Sequence, residues 1–387
     1  MTILQIHTFY DQFLSEFYAG AAGLDRQPFE AQIAALLQDG FAGGHMFPPY
    51  LREIGYDAHL AIANCPQAQL QWAREKGFSG FSPQNWVYEI ARRQVETLKP
   101  DVLYLSDPIT FDSRFVRSLS WKPSVVMGWR AASIPSPTDW TEFHLMLSHL
   151  QVCRQKALER GARAVEHFYP GYPGFLAEKI RAEPLAWDVV FSGQWTGEHA
   201  QRNQLILEVA RAAADKKRPF SFGLFLACRN PAGLPAEIRE LNRGPRWGSA
   251  MFRALKSGRM ALNAEIDLAR GEAGNMRLFE ATGTGACVLT EEQPNLERYF
   301  KRGTEVVTFQ TGPELIDKIR HLLESPEECA AIARRGQERC LRDYSMQNRA
   351  REFAGIIEHQ LGRNSARMSI SQPRPDSAAT LLGQALE

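Results

Sequence analysis

Apolar residues in this chain fall into two alternating signatures, short unbroken runs and longer stretches with helical spacing. The runs at 101–105 (DVLYL), 124–127 (SVVM), 144–148 (HLMLS), 188–192 (DVVFS), 258–263 (GRMALN) and 286–289 (ACVL) are compact and bounded by polar residues or glycine. Such runs predict strands buried on both faces of a sheet. A first strand is expected at 2–7, with others at 57–63, 220–226 and 306–309. Between them, residues 28–40 place Phe29, Ile33, Leu36 and Leu37 on one helical face, and 86–98 do the same with Ile90, Val95 and Leu98. Further helices are expected at 46–54, ended by Gly55, at 150–160, ended by Gly161, and at 201–214. Residues 313–343 read as two helices parted at Ser325-Pro326, and 345–361 as a final helix. Strand and helix alternating with short connections indicate an α/β chain with mostly parallel sheets covered on both faces.

The alternation is interrupted once. Between 168 and 185 lie Pro170, Gly171, Pro173, Gly174 and Pro184, a punctuated segment that reads as a linker or hinge. It divides the chain into a unit at 1–175 and another at 176–344, followed by the helix ending near 362. Residues 363–387 are rich in Ser, Arg and Pro with little apolar pattern, so a flexible tail is expected. The two halves repeat an architecture without repeating a sequence.

Composition agrees with two packed units. A chain of 387 residues exceeds one ordinary core, and 44% hydrophobic residues with 10% aromatics exclude wholesale disorder. A formal net charge of +1 provides no basic field for nucleic acid, so any phosphate recognition must be local. The six cysteines are scattered with no Cys-x-x-Cys, which argues against a zinc site or a disulfide framework and for reduced thiols in the cytoplasm. The first residues, MTILQIHTFYDQFL, lack a basic region followed by a long apolar run. No stretch approaches the roughly 20 apolar residues that span a bilayer.

The chemistry concentrates at 271–296, GEAGNMRLFEATGTGACVLTEEQPNL, which reads as loop, helix, tight turn and buried strand. A helix start preceded by glycine-rich backbone is an anion site, because its first N–H groups lack partners and the dipole end is positive. Glu280, in the body of that helix, would be a carboxylate held near the bound anion. That arrangement makes sense if the carboxylate accepts hydrogen bonds from another part of the same ligand, and the vicinal hydroxyls of a ribose fit. The ligand implied is a nucleoside diphosphate. Candidate general bases at or near strand ends are His7, His144, His149 and His167, with Asp11 in the first loop. Most histidines are plain surface or core residues, and an Asp there serves equally as a turn residue. Trp129, Trp195 and Trp247 are candidates to stack on a base or sugar, although core burial is commoner. No P-loop follows the glycines at 20–24, and Asp188 and Asp267 do not form an Asp-x-Asp metal motif.

The run NMRLFEATGTGACVLTE, continued by NLERYFKRGTEVVTF and PELIDKIRHLLESPEECAAIARRGQERCLRDYS, resembles the C-terminal half of CgeB-like glycosyltransferases, a group of GT-B fold. ILQIHTFYDQFL, NCPQAQLQWAREKG and KPDVLYL carry the resemblance more loosely through the N-terminal half, and it stops before the tail. It implies two Rossmann-like doubly wound domains facing a cleft, with the last helix packing back on the first domain. It also implies Glu280 on the donor's ribose and the backbone of Gly274, Asn275, Met276 and Arg277 on its pyrophosphate. Gly193 would admit the pyrophosphate closely, and Arg202 would add charge. Glu272 and Glu280 have seven residues between them, the spacing of paired glutamates in large retaining GT-B families, but Asn275 occupies a position where those families commonly have glycine. Glu272, His7 and Asp11 are the catalytic candidates. The activity implied is transfer of a sugar from a nucleotide-diphosphate sugar to an acceptor hydroxyl, without metal or cofactor. The acceptor, whether glycan, protein or small molecule, cannot be read. A nucleotide-sugar epimerase of the same fold and an inactive nucleotide-binding homologue are the alternatives.

Overall fold

The computed structural model describes residues 1–371. The first sheet contains β1 (Thr2–His7), β2 (Asp57–Ile62), β3 (Val102–Leu105), β4 (Val125–Trp129), β5 (Leu145–Ser148) and β6 (Val165–His167). Their spatial order is β2-β1-β3-β4-β5-β6, and every pairing is parallel. The second sheet contains β7 (Trp187–Gln194), β8 (Phe222–Ala227), β9 (Gly258–Asn263), β10 (Cys287–Glu291) and β11 (Val307–Phe309), in the order β11-β10-β9-β7-β8, again all parallel. Both sheets are doubly wound, with strand order reversing beside the first strand of each. In such sheets ligands bind at the carboxyl ends of the strands next to that reversal. The unbroken apolar runs are explained by burial: every residue of β3, β4 and β5 is buried, because helices cover both faces.

The punctuated segment is packed rather than loose. Tyr172 pairs with Ser345 in an isolated parallel bridge, and a short helix follows at Phe175–Lys179. The Tyr172 ring lies so close to Gly283 that a Cβ there would meet it at 2.3 Å. The last helix, Met346–Ser371, packs on the first domain. Its Phe353 stacks on Phe47 at 4.4 Å between ring centres and lies 4.9 Å from Tyr104. It also runs past Leu361 into the stretch read as a tail. Residues 363–371 contain no Pro or Gly to stop a helix already under way, the next proline being Pro373. The rest of the expected tail lies outside the described residues.

The domains meet through two reciprocal helix caps. Glu272, from the second domain, accepts the Gln151 N–H at 2.5 Å at the start of the first-domain helix Gln151–Glu159. Asp39, from the first domain, accepts the Ser249 N–H at 3.3 Å near the start of the second-domain helix Gly248–Lys256, and the Ser249 hydroxyl donates to the Asp39 carbonyl at 2.6 Å. His167 and the Tyr299 hydroxyl, 3.1 Å apart, add a third link.

Candidate functional site

A cavity of about 520 Å³ lies where the carboxyl ends of the two sheets face each other. From the first domain it is lined by His7 at the end of β1, Ser106 and Asp107 just past β3, Trp129 at the end of β4, and His45 and His149. From the second it takes Gly193 and Gln194 at the end of β7, Ala227 at the end of β8, the segment Pro245, Arg246 and Trp247, and then Asn275, Met276, Arg277 and Glu280.

The second-domain wall is built around the helix Met276–Thr284, whose Leu278 and Phe279 are fully buried. Asn275 caps it, its side-chain oxygen accepting the Leu278 N–H at 3.0 Å. The N–H groups of Gly274 and Asn275 donate to Glu265 Oε1 at 3.2 and 3.4 Å. Two of the four amides expected to hold a pyrophosphate therefore already hold a carboxylate, and Gly274 does not line the cavity. Met276 and Arg277 are left as the cleft-facing start of the helix. Glu265 is 6% exposed, and its second oxygen has no hydrogen-bond partner. Burial, with the Glu291 carboxylate adding to it, pushes its pKa up to about 8 against the two amide bonds and Arg202.

Glu280 is 2% exposed, and its Oε2 lies 2.8 Å from Arg277 Nη1. That separation suits an ion pair, yet the alignment is not that of a hydrogen bond, so the oxygen keeps an unfilled acceptor position. Burial raises its pKa and Arg277 opposes the rise. Gly193 keeps the wall thin, since a Cβ there would stand 3.0 Å from the Phe191 ring. Arg202 sits behind that turn instead of projecting into the cavity. It is buried, donates to the Gln194 carbonyl, and lies 5.4 Å from the Phe191 ring centre. Burial and then the neighbouring Arg277 lower its pKa to about 10.

On the first-domain wall, His7 Nδ1 is 2.9 Å from Ser106 Oγ. Burial lowers its pKa to about 4, with Asp107 opposing, so it is neutral near pH 7. Burial pushes Asp107 the other way, but hydrogen bonds from Thr8 and Thr110 and the nearby His7 outweigh it and hold Asp107 below its usual value. The Thr8 hydroxyl donates to it at 2.6 Å. His45 and His149 flank Trp129, with ring centres at 4.9 and 5.9 Å. Burial lowers both to about 3. His45 Nδ1 and both nitrogens of His149 are buried without partners.

The other expected site residues lie elsewhere. Asp11 is exposed at the start of the helix Asp11–Gly20, where it accepts from Asn64 at 2.9 Å, and it does not line the cavity. Glu272 is engaged by Gln151 and by Arg154 at 3.8 Å. His144 accepts the Val126 N–H at 3.0 Å, and His167 faces Tyr299. Trp129 and Trp247 line the cavity, whereas Trp195 lies in an adjoining hollow. The sequence reading passed over Asp107, His45, Arg130 and Glu265. Asp107 carried a usable signal, being a charged residue two positions past a buried apolar run, where doubly wound sheets present side chains to ligands.

Residues 202–355 match a family model described as glycosyl transferase-like. No curated protein matches the chain. Among solved structures, HepE from Anabaena, determined in complex with UDP and glucose, is 14% identical, with a TM-score of 0.54 over 93% of this chain and 100% of that one. A glycosyltransferase from Rickettsia africae is 11% identical, with a TM-score of 0.56 over 93% and 98%. Sucrose-phosphate synthase from Thermosynechococcus elongatus is 10% identical, with a TM-score of 0.56 over 94% and 100%. The protein has the GT-B fold, two Rossmann-like domains about a cleft. The segment with the glycosyl transferase-like signature begins in the helix after β7 and includes Glu280.

Proposed function

We propose that the protein is a glycosyltransferase, with CgeB-like affinities, that moves a sugar from a nucleoside-diphosphate sugar to an acceptor hydroxyl. The observation that carries this reading is Glu280, a buried carboxylate on the cleft wall with an unfilled acceptor position, one turn inside a helix whose first residues face the same cavity. The glycosyl transferase-like match across this segment and the UDP held by HepE support it. Ribose hydroxyls donate to Glu280, and the diphosphate lies between the Gly193 turn and the Met276–Arg277 end of the helix. The sugar points toward His7, Asp107, His45 and His149. Arg277 and the helix start, with Arg202 behind the turn, offset the charge growing on the leaving diphosphate, so the step needs no metal. Neutral His7 takes the proton of the attacking hydroxyl, and Asp107 stabilises the imidazolium that results. An epimerase would need a pair of carboxylates at the sugar. Glu272 is committed to the Gln151 cap, leaving Asp107 alone at that end, which favours transfer. The six unpaired thiols support a reducing compartment such as cytoplasm.

Titration with UDP tests the reading, with ADP and GDP for comparison. Removing a charge-assisted hydrogen bond costs roughly 1.5 to 3 kcal/mol, so Glu280→Ala should bind UDP about ten- to hundredfold more weakly. A 2′,3′-dideoxy analogue should bind the unaltered protein comparably poorly and lose little more on mutation. Equal affinity of a folded Glu280→Ala variant for UDP would return Glu280 to a purely structural role.

A further inference from the structure

We propose that a second hollow beside the cleft is the acceptor site and that the acceptor it takes is a carbohydrate; the inference rests on the transferase reading above. The hollow measures about 940 Å³, near the top of the ~300–1,000 Å³ range of small-molecule sites. Tyr10 and Gln12 of the first domain form one side. The turn after β7, at 194–203, and the loop after β8, at 227–234, form the other. Tyr10, Gln194, Ala227 and Trp247 belong to both cavities, so the hollow opens onto the cleft beside the Gly193 turn. That turn is where the diphosphate lies in the transferase reading, so the bond to be broken is at the junction. A hydroxyl entering from the hollow forms the new bond from its oxygen to the anomeric carbon. The bond from that carbon to the diphosphate oxygen breaks, the electron pair leaves on the diphosphate, and the hydroxyl proton passes to the His7 imidazole.

The lining selects the class of acceptor. Its sixteen residues include two charges of opposite sign, Glu198 and Arg229, and no lysine, which is a poor cradle for a phosphate or an acidic polymer. Four carry primary amides, Gln12, Gln194, Asn203 and Asn230, too polar a wall for a lipid chain. A primary amide both donates and accepts, as a sugar hydroxyl does, so the two match group for group. Tyr10, Trp195 and Trp247 add flat apolar faces with polar edges, surfaces on which the C–H face of a pyranose can rest. Two polar atoms of this wall lack partners. Asn203 spends its amide nitrogen on the Thr196 carbonyl at 2.9 Å and leaves Oδ1 buried and unpaired, and Trp247 Nε1 is likewise unpaired. Buried polar atoms are ordinarily satisfied, and here an acceptor and a donor are left over on two residues that line the hollow.

Gly197 lines the hollow but not the cleft, and a Cβ built on it meets nothing within 4 Å. Gly197→Trp therefore puts a bulky ring on the lining of the hollow from a Cβ that meets no packed atom, and Gly197→Ala is its control. UDP affinity is measured for all three proteins, and each is then applied to an oligosaccharide array in the presence of UDP. The expected result is binding of a related set of oligosaccharides by the unaltered protein and by Gly197→Ala, a loss of at least tenfold in Gly197→Trp, and unchanged UDP affinity throughout. Three results overturn the proposal: no oligosaccharide retained by the UDP-bound protein, retention undiminished in Gly197→Trp, or a fall in UDP affinity in that variant, which would make the hollow part of the nucleotide site. Failure of the unaltered protein to bind UDP, ADP or GDP sinks the transferase reading first, and this inference with it.

Discussion

Glu265 shows how a single side chain can be decisive and still be invisible in the sequence. Glu280 was legible because its neighbours on both sides announce a loop, a helix and a turn, and His7 because it closes the first apolar run. Glu265 and Asp107 acquire their settings from chain distant in sequence. Asp107 comes beside His7 only because β3 lies next to β1, and an apolar pattern does not encode strand order. Glu265 is also the clearest place to test the electrostatics. Its folded pKa of about 8 stands above the ordinary 4.5, so the folded state binds a proton more tightly than the unfolded chain. Stability should therefore be greatest below pH 4.5 as far as this group is concerned, and should fall as pH rises through 8. Burial is the main cause of the rise, and the Glu291 carboxylate, which accepts the Glu265 N–H, adds to it. Glu265→Gln keeps an oxygen for the Gly274 and Asn275 amides and removes the charge. Relative to the unaltered protein it should gain on the order of a few kcal/mol between pH 5 and pH 9. Melting curves whose difference does not change across that range would show that the carboxylate carries no such penalty.

At the scale of elements, the alternation of strand and helix was readable nearly throughout, because parallel strands buried on both faces leave unbroken apolar runs. What escaped includes the helices Asp11–Gly20, Pro66–Glu75 and Gly248–Lys256, as well as elements too short or too exposed to show a pattern. β6 has three residues, none fully buried, and the helix Ser113–Ser118 has little room to show a period. The terminal helix continues to Ser371, past the Leu361 expected as its end, through residues that are polar but hold no helix breaker. Its hold on the first domain depends on Phe353, which is fully buried and ringed by Phe47, Tyr104 and Phe168. Phe353→Ala should cost roughly 3 to 5 kcal/mol, measurable as a lower urea midpoint. Ending the chain after Gly362 should leave that midpoint nearly unchanged, because the buried contacts of Phe353, Ile356 and Ile357 all precede it. A truncation as damaging as Phe353→Ala would show that the residues past Gly362 pack against the domains.

At the scale of the molecule, the least legible feature is the exchange of caps between domains. The resemblance made Glu272 a catalytic candidate, and its carboxylate reaches 121 residues back to the start of a first-domain helix. Asp39 does the same in the opposite direction, and Gly248 makes room for it: a Cβ there would meet Asp39 Oδ1 at 1.5 Å, at a backbone φ of +47°. A helix N-cap is worth about 0.5 to 2 kcal/mol, so the two together bias the domains toward the closed arrangement by up to about 4 kcal/mol. Because the cavity is lined from both domains, anything that parts them dilutes the binding-competent state and weakens apparent affinity in proportion. The variant Asp39→Ala with Glu272→Ala touches neither cavity, yet it should enlarge the radius of gyration measured by X-ray scattering without ligand. Saturating UDP should restore the compact value, and UDP affinity should fall at least severalfold. Gly248→Ala, which forces Asp39 off its helix without removing a carboxylate, should move both measurements in the same direction. Scattering profiles that superimpose for all these proteins, with UDP affinity unchanged, would mean that the interface stays closed on its apolar contacts alone and that the caps only trim the ends of two helices.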